Sequence, residues 1–144
     1  MIVTLEDKFA INELINLYGH IIDRQEFNSL NQIFTNDAAF DLSLFQSGKV
    51  YQGLDQIIAM MEQSSDHPVA HHATNIVIQP NLDEAEKNNS KIIETVQVVS
   101  KGLGVGRKGR VGSVVYKDVL IKQNAQWRIQ LRKVQHLAEA GSQL

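Results

Sequence analysis

The sequence predicts an α+β fold, a curved antiparallel sheet wrapped over a long N-terminal helix and two shorter helices, with a cone-shaped space between them. Three observations lead there. Apolar residues near the N-terminus recur at helical spacing. The second half is dominated by β-branched and aromatic runs such as VVYKDVLI and WRIQLRKV. Helices come first and strands follow, which separates α+β from an alternating α/β chain. With 144 residues, one core suffices to bury roughly two-thirds of the unfolded surface. The chain reads as one domain over 1–144, with a loose tail from about 137 and no internal repeat.

Taken in order, Thr4 is a helix cap with Asp7 three residues on. Ile11, Leu14, Ile15, Tyr18, Ile21 and Ile22 then form an amphipathic stripe that ends near Asp23–Arg24. A shorter helix follows, capped at Asn28 or Ser29, with Leu30, Ile33 and Phe34 as its apolar face. Asn36–Asp37 reads as a turn. Residues 38–45 alternate as a strand, Phe40, Leu42 and Leu44 against Asp41 and Ser43. Ser47–Gly48–Lys49 turns the chain so that Val50–Tyr51 can pair back. Gly53 to Ser64 reads as a third helix, with Leu54, Ile57, Ile58 and Met61 inward, and Pro68 forbids its continuation. Strands are expected at about 70–79, 91–103, 111–122 and 127–135, joined in part by the polar stretch Asn81–Ser90.

Composition excludes several classes. Lys+Arg number 14 and Asp+Glu 16, a net charge of −2, unlike the basic excess of a nucleic-acid binder. Hydrophobic residues at 43% and charged residues at 21% belong to a globular rather than a disordered chain. There is no cysteine, so disulfides, thiolate metal sites and a cysteine nucleophile are out. The opening MIVTLEDKFAINEL has no apolar h-region, and no apolar run approaches ~20 residues. A cytoplasmic location with no membrane and no nucleic-acid partner is the expectation.

The loudest motif carries the least. Residues 104–109, GVGRKG, match G-x-G-x-x-G, but a strand follows where a dinucleotide site needs a helix N-terminus. Too little chain remains for the later kinase motifs. A hairpin loop with Arg107, Lys108 and Arg110 at its tip is the simpler reading. His71 and His72 say more. Neighbours on a strand face opposite ways, so one ring of the pair points inward whichever way the strand is turned. No further ligand stands at metal-site spacing, so no metal is expected. Asp23 ends an apolar helix stripe where the helix dipole disfavours a carboxylate, which makes it either a solvated helix end or an inward group orienting a histidine. Tyr18 is either a core residue or a donor. Tyr116 and Asp118 share a sheet face. Trp127 and Ile129 share the face of Leu131, with Arg132 on the other, and Arg132 opposite Asp118 makes a cross-strand pair.

In their order and spacing, four segments resemble the SnoaL-like branch of the NTF2-like superfamily, from about Leu5 to Val134: INELINLYGHIIDRQEFNSLNQIFTNDAAFDL, the helix after YQG, HHATN, and YKDVLIKQNAQWRIQLRKV. The resemblance implies a cone-shaped half-barrel with a deep apolar pocket. That family holds ketosteroid isomerases, scytalone and bile-acid dehydratases, a dehydrochlorinase, polyketide cyclases and non-catalytic subunits, so the fold alone decides little. The helix-end Asp of the dehydratase-type members falls on Asp23. Their strand His, in His-x-x-Thr-Asn, falls on His71 with Thr74 and Asn75 in place; a looser alignment chooses His72. The Tyr of the bile-acid dehydratase pattern falls on Tyr18. The isomerase base falls on or beside Leu42, with Asp41 one position off, and the second histidine of scytalone dehydratase has no counterpart.

The resemblance implies a cofactor-independent lyase or isomerase acting on a small hydrophobic, cyclic substrate. His71 or His72 is then the base, Asp23 its orienting carboxylate, and Tyr18 a donor. Tyr116, Asp41, Tyr51 and Arg132 are the candidate substrate-binding residues. The alternative is a non-catalytic ligand-binding or assembly module of the same fold. Apolar groups on both sheet faces, at Ile92–Ile93, Val98–Val99, Val114–Val115 and Val119–Leu120–Ile121, predict an oligomer, and the resemblance implies a homodimer, with a trimer second.

Overall fold

The computed structural model describes residues 3–45, 48–64, 67–80 and 95–136. Helix α1 runs Leu5–Asp23 and buries the whole stripe read from the sequence. Its cap is reciprocal: Thr4 Oγ1 accepts the Asp7 amide at 3.1 Å, and Asp7 Oδ2 accepts the Thr4 amide at 3.1 Å. The other Asp7 oxygen accepts from Trp127 Nε1 and Lys122 Nζ, each at 2.9 Å, and so ties the helix start to the last hairpin. Burial pushes the Asp7 carboxyl up, but the donors Lys122, Trp127 and Thr4 outweigh it and hold it well below the usual carboxylate range. A depressed carboxyl stabilises the fold above its unfolded pKa, and that contribution is lost as pH falls toward the folded value. Asp7→Ala removes a cap and orphans the indole N–H, so it is expected to cost about 2–4 kcal/mol at pH 7. The gap to wild type should shrink below about pH 4 in urea titrations.

A short 3-10 helix, Phe27–Gln32, replaces the expected second α-helix. Strand β1, Phe34–Asp41, begins four residues before the predicted start at 38, and Asn36–Asp37 lie inside it rather than at a turn. The reason is a bulge: pairing passes from Phe34↔Ile129 to Ala39↔Leu131, so β1 carries extra, exposed residues there. Leu42 and Leu44 fall beyond the strand, Leu44 well exposed. Strand β2, Val50–Gln52, pairs back with Tyr51 opposite Phe40. Helix α2, Leu54–Gln63, buries Leu54, Ile57 and Met61, with Ile58 half-buried.

Strands β3 (Ala70–Pro80), β4 (Thr95–Val105), β5 (Val111–Gln123) and β6 (Gln126–His136) complete a six-stranded sheet in the order β2-β1-β6-β5-β4-β3. The sheet is open and curved. It departs from the expected all-antiparallel pairing at β1 and β6, which run parallel. Residues 104–109 enter a tight turn, with Lys108 at φ 61° and Gly109 at φ 74°, and the chain leaves it as β5. No helix N-terminus follows the glycines, so the turn is a hairpin and no phosphate cradle. Ser47, the stretch Asn81–Ser90, Ile92–Ile93 and the tail from 137 lie outside the described residues.

A second bulge moves a functional side chain. Val119 pairs Leu131 and Leu120 pairs Ile129, so β6 has one extra residue at Gln130. Face parity flips there. Arg132 joins Trp127 and Ile129 on the concave side, not the opposite side that simple alternation predicts, and it is fully buried. The cone is largely filled: Phe34 meets Tyr18 and Phe40 edge-on at 6.2 and 6.0 Å between ring centroids. Among the described residues no helix is long and apolar enough to cross a membrane.

Candidate active site

The last turn of α1 meets the first residues of β3. Both Asp23 oxygens accept the His71 amide, at 3.1 and 3.0 Å, and Oδ1 lies 2.6 Å from His71 Nδ1. An ionised carboxylate only accepts, so Nδ1 carries the hydrogen, and in a neutral ring this leaves the lone pair on Nε2. The side chains are 16% and 25% exposed, sheltered yet reachable. His67 stands beside this pair, its ring 6.2 Å from that of His71 and its Nε2 3.1 Å from the Met61 carbonyl.

Deeper in, Arg132 Nε and Nη2 donate to the two oxygens of Asp118 at 2.9 and 2.8 Å. The guanidinium carbon is 4.3 Å from the Tyr18 ring centroid and 4.2 Å from that of Tyr116, a double cation–π stack. Burial pushes the Asp118 carboxyl up and the guanidinium pulls it back. Arg132 is held more firmly protonated, the Asp118 charge outweighing the cost of burial. The two-point geometry is that of an ion pair, and we take both groups as charged. Burial also raises the Tyr18 and Tyr116 phenols, so both remain O–H donors at neutral pH. Arg132 Nη1 and Ser100 Oγ are buried and have no hydrogen-bond partner among the described residues.

His71, Tyr18, Tyr116, Arg132, Ile15 and Ala73 line one pocket. Its empty space is about 250 Å³ counted out to solvent, but the enclosed part holds only about one water molecule. The deep apolar cavity that the resemblance implies is thus narrowed by the two tyrosines and the arginine. Among the described residues no group of three His, Asp or Glu is placed to hold a metal.

The structure therefore brings His71, Asp23, Tyr18, Tyr116 and Arg132 together. His72 also borders this pocket but is exposed, on the opposite face of β3 from His71 as strand alternation requires. Two candidates fall away from the pocket. Asp41 ends β1, where its carboxylate accepts the Ser43 amide at 2.8 Å in a local turn. Tyr51 is on β2 at the sheet edge, on the far side of β1 from the site. Gly19 is the residue that periodicity does not reveal; a glycine in an otherwise regular helix is the only signal it leaves.

The family model of the SnoaL-like domain matches residues 3–133. No curated protein sequence matches significantly. Among solved structures, a protein of unknown function with a cystatin-like fold from Nostoc punctiforme is 23% identical, with a TM-score of 0.74 over 94% of this chain and 95% of its own. Aln2 from a Streptomyces species is 16% identical, with a TM-score of 0.75 over 100% of both chains. A candidate scytalone dehydratase from Novosphingobium aromaticivorans is 20% identical, with a TM-score of 0.66 over 92% of this chain and 85% of its own. At these identities the likeness shows the fold. The match across 3–133 shows the family: the chain is a member of the SnoaL-like domain family, on an NTF2-like, cystatin-like α+β fold.

Proposed function

We propose that the chain is a cofactor-independent lyase or isomerase that removes a proton from carbon in a small hydrophobic, cyclic substrate. The 2.6 Å contact between His71 Nδ1 and Asp23 carries this reading. Asp23 fixes the tautomer and stabilises the imidazolium that forms, as an orienting carboxylate does in a triad. His71 Nε2 takes the proton, and the C–H electron pair moves onto an oxygen or expels a leaving group. Tyr18, Tyr116 and the unpartnered Arg132 N–H are the donors near which negative charge develops. The family match and the scytalone-dehydratase-like neighbour support a dehydratase or isomerase class.

One observation favours a second reading. The narrowed pocket suits a binding or assembly module that holds a ligand only after the tyrosines shift. A screen of hydroxylated and halogenated cyclic compounds separates the two. Release of water, halide or an isomerised product is expected; saturable binding with no turnover of any bound compound sinks the enzymatic reading.

We further infer a homodimer through the convex sheet face. Val99, Val115 and Val119 are half-buried there, while Val98 and Leu120 are buried on the concave side. Light scattering at micromolar concentration should give twice the 16.2 kDa chain mass, and a monomer mass contradicts it.

A further inference from the structure

We infer that Gly19 is a positioning residue that sets the distance between Asp23 and His71, an assignment that rests on the His71–Asp23 reading above. Gly19 and Asp23 are four residues apart on α1 and so lie on one face of its last turn. Both fall on His71. Asp23 takes the His71 amide and ring nitrogen. Gly19 faces the His71 carbonyl so closely that a Cβ there would lie 2.8 Å from the oxygen and 3.5 Å from the His71 Cβ. Carbon and oxygen do not pack at 2.8 Å, so any side chain forces the two backbones apart.

Both elements are anchored. His71 is held in the β3–β4 ladder opposite Gly104, in a run that pairs from Ala70 to Thr74. The last turn of α1 is held by Ile21 and Ile22, both buried. A side chain at position 19 separates the two elements where Asp23 meets His71, whichever of them moves. The 2.6 Å contact is the first to lengthen. Helix propensity points the other way, because alanine is a better helix former than glycine. A glycine at this position is thus explained by the close approach and not by the helix.

The test needs no substrate. In isotopically labelled full-length protein, the His71 Nδ1 proton, held against a carboxylate, should give a sharp resonance far downfield of ordinary imidazole N–H signals. Asp23→Asn should shift it strongly upfield or lose it to exchange. Gly19→Ala should move it the same way, and Gly19→Val further, while far-UV dichroism and the amide spectrum of the sheet stay native. Gly112→Ala, at an open position with nothing near its Cβ, should leave it unchanged. A folded Gly19→Ala protein with the resonance in place overturns the assignment of Gly19 and leaves the dyad standing. Absence of the resonance from wild type, with no change in Asp23→Asn, overturns the dyad and this inference with it. If Gly19→Val does not fold, Gly19→Ala decides alone.

Discussion

Replacing His71 with alanine is expected to lower turnover by roughly 10²–10⁴-fold, the range that positioned proton transfer contributes. His72→Ala should leave turnover within about threefold of wild type, because that residue is exposed and the ring held by Asp23 is that of His71. Asp23→Asn should keep the fold and lose most of the same activity. An amide in place of the carboxylate can present its N–H to His71 and reverse the tautomer, and it cannot stabilise the imidazolium. The three variants are compared by steady-state turnover on whichever cyclic compound the screen identifies. Equal losses in His71→Ala and His72→Ala contradict the assignment of the inward ring.

The second large effect is on stability. Removing one partner of the Asp118–Arg132 pair strands a buried charge among Val98, Tyr18 and Tyr116. Asp118→Ala and Arg132→Met are each expected to cost about 3–5 kcal/mol in urea denaturation. The double variant Asp118→Leu/Arg132→Met should recover much of that loss, since two apolar groups of similar volume replace the pair without an orphaned charge. It should remain inactive, because the unpartnered Arg132 N–H is gone. Recovery of activity along with stability in the double variant contradicts a role for Arg132 in the site.

How much of this was legible in the sequence differs by element. Helix α1 reads completely: its stripe, its cap and its end are local properties, and each appears in the structure. Both misread strands fail for one reason. Period-2 alternation carries no mark of an extra residue, so the bulges at Asn36–Asp37 and Gln130 are invisible until partner strands fix the register. That is why Arg132 reads as lying on the face opposite Trp127 and Ile129, which it in fact shares. The doubled histidine guarantees one inward ring from geometry alone, but its meeting with Asp23, 48 residues away, follows only from the family resemblance. The filled cone has no local signature either. Tyr18, Tyr116 and Arg132 each read as ordinary members of their own segments, and only the tertiary stack turns them into the wall that narrows the pocket.

The central claim is that His71, held by Asp23, takes a proton from carbon. Hydrogen exchange tests it without knowledge of the physiological product. A panel of cyclic ketones and hydroxyketones is incubated with the protein in D2O, and deuterium incorporation at the α-carbon is followed by mass spectrometry or proton NMR. Wild type should accelerate incorporation into at least one compound that occupies the pocket, and His71→Ala should fall to the buffer rate while His72→Ala keeps the wild-type rate. Incorporation by His71→Ala at the wild-type rate, or none by wild type into any compound shown to bind, contradicts the account.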